Sequence, residues 1–284
     1  MFSTHDFLAD FLKPDRLTHV VDVGANPIEG DPPYKKMLQS NLCRVTGFEP
    51  QLSALHELNA KKSENETYLP YALGSGGDKV LNVCRYSGWT SLLKPRKATL
   101  DIFSQFKNNA QVIQTLDVKT HRLDDLPEVT AFDLLKIDVQ GGELDVFMGG
   151  INHLKNAVAI QTEVSFITLY EKQPCFGTID LTLRKLGFVP HCFNQVKTWP
   201  VGPLQFEGNS PQQFNQLLEA DVVYVKDFID PVLMSNEQLK HLCLLMFHCY
   251  GSLDLSGRCI ELLESRGVLP DGVKKYVEFL NSQH

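Results

Sequence analysis

The chain has 284 residues, 43% of them hydrophobic and 21% charged, the balance of an ordinary globular protein. That length suits one large domain, or one domain with an appendage, and is enough to bury a substantial core. A net charge of −7, with no Lys/Arg cluster interleaved with aromatics, argues against a nucleic-acid partner, and no apolar run reaches the roughly 20 residues that span a bilayer.

Residues 2–12 carry apolar side chains near helical spacing, with Ser3 or Thr4 as cap and Pro14 as stop. This helix is expected to pack on a sheet edge. A first strand is expected at 19–23, a helix at about 33–40 and a strand at 43–48. Residues 51–62 read as a helix with Leu52, Leu55 and Leu58 on one face. A third strand runs from Tyr68 to Leu73. The polar turn 74–78 then leads into a strand from Lys79 to Tyr86. Residues 111–118 read as another strand and 123–126 as a turn. The fourth sheet strand is 132–138. Gly141-Gly142-Glu143 opens a helix that ends near Gly149-Gly150. The fifth sheet strand is 158–164, and 179–186 is a helix capped by Gly187. Strands at 189–193 and 221–225 finish the sheet, joined by a long connection, 194–216. After Asp230-Pro231 the character changes to three helices, at 236–250, 254–266 and 271–281. Strands that alternate with helices in this way predict an α/β fold: a mostly parallel sheet with helices on both faces.

Three of the apolar runs end in an acid. They are Val20-Val21-Asp22-Val23-Gly24-Ala25-Asn26, then Val45-Thr46-Gly47-Phe48-Glu49-Pro50, then Leu134-Leu135-Lys136-Ile137-Asp138-Val139-Gln140-Gly141. In open α/β sheets, ligands bind outside the carboxyl ends of the strands. Three acids therefore converge on one crevice. A dinucleotide site needs Gly-x-Gly-x-x-Gly after the first strand. Here Gly24 is followed by Ala25, Asn26 and Pro27. Asp22 also sits beside the place of a phosphate, at a Coulomb cost. S-adenosylmethionine (AdoMet) suits the crevice better. It carries an ammonium, a sulfonium and a ribose diol, and no phosphate. Glu49 is placed to accept both ribose hydroxyls. The plainer reading, in which Asp22 and Asp138 only cap turns, weakens when three successive strands end alike.

In order and spacing, these blocks resemble the signature of the FkbM-type AdoMet-dependent methyltransferases, over roughly residues 15–195. The resemblance implies a Rossmann-like class I methyltransferase sheet over residues 1–230, with 231–284 as a helical C-terminal extension. It implies methyl transfer, usually to a hydroxyl oxygen of a sugar or polyketide. By position, Asp22, Gly24, Ala25 and Asn26 fall on the first cofactor loop. Glu49, followed by Pro50, falls on the ribose acid, and Asp138 on the acid after the fourth strand. Ala72-Leu73 falls where AdoMet folds receive the adenine. The segment Ser87–Leu92 resembles the family's hydroxyl-rich turn. Trp89 there either stacks on a ligand or packs an extension onto the core. Two departures stand out. Gln140 occupies a position where the family often has Glu, so it is not a base. The first loop, Asn26 to Tyr34, carries three prolines, which make it a rigid rim.

Methyl transfer to oxygen needs alignment, exclusion of water and removal of the hydroxyl proton. A side-chain base or a divalent metal can do the last. Asp138 is the first candidate base. Lys136 points to the same side of the strand and reads as an ion-pair partner of Asp138 sooner than as a catalytic amine. Glu143 can face substrate or compensate the helix dipole. Glu163 can face the acceptor or sit buried against a Lys or Arg. His191 is a weaker base candidate. His241 and His248, seven apart, read as a core or exposed pair, so no protein metal site is expected and metal dependence stays open. Seven scattered cysteines without Cys-x-x-Cys read as reduced thiols of a cytoplasmic protein.

The expected activity is O-methylation of a glycan or other small polyhydroxylated acceptor, held by segments 87–110 and 194–216. A homodimer through the C-terminal helices is compatible with this. Two alternatives remain: a catalytically silent AdoMet-binding or scaffold protein, and an NAD-linked oxidoreductase, which the missing glycines disfavour.

Overall fold

A computed structural model describes residues 6–26, 30–204, 214–230 and 234–282. Asp6 opens helix α1 (Phe7–Leu12) by accepting from the Ala9 amide at 3.0 Å. The expected caps Ser3 and Thr4 lie outside the described residues. Strand β1 (Thr18–Val23) is buried at every position, as a central parallel strand must be. Helix α2 (Lys35–Gln39) leads to β2 (Cys43–Phe48), and α3 (Leu52–Lys61) to β3 (Glu66–Leu69). The expected leucine stripe on α3 narrows to buried Leu55 and half-buried Leu58, with Leu52 67% exposed.

The strand expected over 68–73 is two strands. Pro70 has no amide hydrogen to continue the ladder. Beyond it, β4 (Ala72–Leu73) joins β5 (Gly77–Cys84) and β6 (Val112–His121) in a separate three-stranded sheet, with α4 (Lys97–Ile102) between β5 and β6. The chain then returns through β7 (Leu134–Ile137), α5 (Glu143–Gly149), α6 (Ile151–Leu154), β8 (Ala159–Ser165) and α7 (Phe176–Lys185). The last two strands, β9 (Phe188–Thr198) and β10 (Leu217–Lys226), run longer than expected and take up the start of the 194–216 connection. Residues 205–213 of that connection lie outside the described residues. The main sheet has the order β3-β2-β1-β7-β8-β10-β9, with β10 antiparallel to its neighbours. It is the Rossmann-like order that the resemblance implies.

Alternation along the strands feeds two cores. Val21, Leu135, Ile160 and Val222 meet α5 and α7 on one face. Val20, Leu134, Ala159 and Val223 meet the C-terminal helices on the other, through Leu239, Leu242 and neighbours. These helices are α8 (Asn236–Tyr250), α9 (Leu253–Ser265) and α10 (Gly272–Asn281). A capping box between Ser235 and Gln238 starts α8. No helix among the described residues is long and apolar enough to cross a membrane. All seven cysteines are free thiols.

Below the site, one buried acid ties β1 to β7. Asp133 is 1% exposed. It accepts from Arg16 in bidentate fashion at 2.6 and 2.8 Å and from the His19 amide at 2.8 Å. Asp133→Ala is expected to cost roughly 3 kcal/mol, the low end for breaking a buried pair, because Arg16 is partly exposed. Urea unfolding measures this; an unchanged midpoint would deny the ion pair its structural role.

Candidate functional site

The ends of β1, β2 and β7 meet through their backbones. The Gly24 and Ala25 amides both donate to the Phe48 carbonyl, at 3.0 and 3.1 Å, and the Asp138 amide donates to Val23 O at 3.0 Å. Gly24 has φ +80°, and a Cβ there would fall 1.9 Å from the Asp138 carbonyl oxygen. Only glycine satisfies both the turn and this close approach.

Two cavities open from this junction. Gly24, Asn26, Glu49 and Pro50 line the first, with Ala72 and Leu73 at the mouth of the small sheet. Asp22 and Ala25 line a neighbouring basin with Tyr34, Gln161 and Lys197. Asn26, Lys136 and Asp138 line both.

Asp22 is 3% exposed. Its Oδ2 accepts from the Tyr34 hydroxyl at 2.6 Å, and Oδ1 lies 3.3 Å from Lys136 Nζ. Lys136 therefore makes its ion pair with Asp22, where Asp138 was the expected partner. The sheet register explains this, since Asp22 and Lys136 face each other across β1 and β7. Tyr34 was missed in the sequence; its only signal there is an aromatic hydroxyl closing the proline-rich loop. Burial and the Asp22 charge push its phenol well above the usual range, so it stays a donor. Within that loop, residues 27–29 lie outside the described residues.

Glu49 is 2% exposed, and its Oε1 accepts from the Gln51 amide at 2.7 Å. Burial pushes its carboxyl up to about 7; the Asp22 charge adds to this, while Lys136 opposes it.

After β7 the chain turns sharply. Gln140 has φ +56° and Gly141 φ +97°. Glu143 folds back over this turn, its Oε1 accepting from the amides of Val139 and Gly141 at 3.1 and 3.0 Å. Burial first, then Asp138, pushes the Glu143 carboxyl up to about 7. Glu143 thus closes its own loop. Glu163 is 8% exposed and accepts from Lys197 Nζ at 3.3 Å, while Lys197 also reaches Glu219 at 2.7 Å. Of the two readings for Glu163, the structure shows the buried, lysine-paired acid.

Trp89 packs against Phe106 and Tyr170, with centroids at 5.3 and 5.8 Å. Its neighbours Ser87, Gly88 and Thr90 reach the first cavity. His191 lies near the amino end of β9, away from the site, and bonds the Ser252 hydroxyl at 2.9 Å. His241 is buried against Thr18, and His248 Nε2 stands 3.4 Å from Asp6. Among the described residues, no group of three or more His, Cys, Asp or Glu could hold a metal ion.

The family model of the methyltransferase FkbM domain matches residues 22–190, more than half of the chain. The chain belongs to the FkbM methyltransferase family. No curated protein matches it. Two solved structures are similar in outline. Magnesium protoporphyrin IX methyltransferase from Synechocystis PCC 6803, with bound SAM, is 11% identical over 78% of this chain and 76% of its own, with a TM-score of 0.38. Precorrin-6y C5,15-methyltransferase from Geobacter metallireducens GS-15 is 14% identical over 77% and 88%, with a TM-score of 0.32.

The first cavity of this FkbM methyltransferase fits the family's methyl donor, AdoMet. Its donor set is acidic and matches a cationic ligand. Glu49 offers a buried carboxylate for a diol, and Ala72 and Leu73 offer apolar surface for a base. AdoMet affinity is expected to depend on pH. Burial pushes the Glu49 carboxyl up to about 7, and the ionised form is the better acceptor for a diol and partner for a cation. Binding should therefore weaken as pH falls below 7, by up to about tenfold per unit, and level off above it. Calorimetry from pH 5.5 to 8.5 tests this, with Glu49→Gln expected to bind weakly and without the slope. Equal affinities throughout would take Glu49 out of the site.

Proposed function

We propose that this chain transfers the methyl group of AdoMet to a hydroxyl of a sugar, a glycan or a similar small polyhydroxylated acceptor. One observation carries the reading: the two cavities share the wall formed by Asn26, Lys136 and Asp138. Glu49 would hold the ribose, Ala72 and Leu73 the adenine, and the Gly24–Asn26 backbone the methionine end. When bound, the cofactor supplies a sulfonium methyl open to in-line displacement. Asp138, bordering both cavities, takes the proton of the attacking hydroxyl.

The basin supports an uncharged polyol. Three of the five lysines that line it already face acids: Lys136 meets Asp22, Lys61 meets Glu57, and Lys197 meets Glu163 and Glu219. Gln161, Asn194 and Gln195 add amides, and Tyr34 and Tyr68 add hydroxyls, groups that pair with a diol in either direction. Calorimetry with AdoMet and S-adenosylhomocysteine, with and without Mg²⁺, is the first test, followed by labelled-methyl transfer to a sugar panel. Micromolar binding and a methylated sugar are expected. No binding would overturn the reading. Tight binding without transfer would favour a silent AdoMet-binding protein.

A further inference from the structure

Gln140 joins three segments at the candidate base. Its Nε2 donates to Asp138 Oδ1 at 2.8 Å, and its Oε1 accepts from the Tyr170 hydroxyl at 2.9 Å. Its carbonyl accepts from Ser91 Oγ at 2.7 Å. The orientation of the amide follows from its neighbours. A carboxylate only accepts, so the nitrogen must face Asp138, and the oxygen is left for the phenol. The residue holds φ +56°, a left-handed conformation that is strained for a non-glycine residue. Such strain persists where the surroundings over-determine it. Here Ser91 fixes the carbonyl, and Glu143 fixes the amides on either side, at Val139 and Gly141.

The charges around Asp138 give this contact its value. Glu143 of α5, Glu163 of β8 and Asp221 of β10 each sense the Asp138 charge, as does the Tyr170 phenol. Lys136, the cation on the same strand, is engaged by Asp22. The Gln140 amide presents a hydrogen-bond donor to the Asp138 carboxylate. A Glu at this position would instead set carboxylate against carboxylate.

We infer that Gln140 is a positioning residue for methyl transfer: it aims the Asp138 carboxylate at the wall between the cavities. The inference rests on the reading of Asp138 as base. Carboxyl ¹³C NMR of the full chain tests it without an acceptor, with the Asp138 signal assigned by its loss in Asp138→Asn. At fixed pH, Gln140→Leu removes the amide donor and is expected to shift the Asp138 carboxyl signal, and Gln140→Glu, which sets a second carboxylate against it, to shift it further. Tyr170→Phe frees the amide to rotate and is expected to give a smaller shift of the same signal, which keeps the test open if a Gln140 variant fails to fold. With an acceptor in hand, turnover falls with the same order among variants, and the loss falls on kcat, not on KM. An Asp138 signal that is the same in wild type and in every folded variant would overturn the inference. A shifted signal in a protein that transfers no methyl group would uphold the Gln140–Asp138 contact and sink the functional reading instead.

Discussion

Asp138→Asn is expected to lower turnover by about 10²- to 10⁴-fold, the usual loss for a general base, with AdoMet affinity changed only a few-fold. The substitution keeps the side-chain shape. It also keeps the backbone contact that matters for the cofactor loop, the Asp138 amide on Val23 O. What it removes is the proposed proton acceptor, the carboxylate of a residue that lines both cavities. The side chain of Gln140 can turn to pair amide with amide, so local structure should survive. Single-turnover transfer of labelled methyl measures the chemical step apart from binding. A rate within a few-fold of wild type would make Asp138 a structural acid and leave the proton to a metal or to another group.

Gly24→Ala is the second large effect. Here the backbone itself must move. A Cβ at 1.9 Å from a carbonyl oxygen cannot be accommodated, and φ +80° is strained for alanine in any case. The neighbour is backbone of Asp138, so relief means parting the ends of β1 and β7. Displacement of about 1 Å at a reacting site can cost 10²-fold, and this loop would carry the cofactor's methionine end. AdoMet affinity is expected to fall by about that factor or more. Calorimetry reads the affinity, and circular dichroism reads the fold. Normal affinity in the alanine variant would mean that the cofactor does not use this turn.

The strand ends were legible because buried parallel strands are written as continuous apolar runs, and their punctuation by Gly24, Pro50 and Gly141 is local. Pro70 was equally local, and its missing amide is enough to split the strand expected over 68–73. The partners were a different matter. Lys136 meets Asp22 because of a register between strands more than a hundred positions apart, and Tyr170 reaches Gln140 from the segment beyond β8. Lys197 reaches Glu163 from β9. Such contacts leave no periodic trace, so an acid's type can be read along the chain while its counterion cannot. The basin was invisible for the same reason, since its wall is assembled from α2, α3, β8, β9 and β10.

The sharing of one core between β1 and α8 also bears on how the chain is made. Val20 on β1 shares its core with Leu8 of α1 and Met37 of α2, which lie close to it in the chain, but also with Leu239 and Leu242 of α8, which begins only at Asn236. Until α8 emerges from the ribosome, part of one side of the nascent sheet presents valine and leucine to water. Exposed surface of that kind is what chaperones hold and what aggregates grow from. The methyltransferase sheet therefore completes its folding late, and a fragment cut before Asn236 is expected to need a solubilising partner, however intact its catalytic motifs.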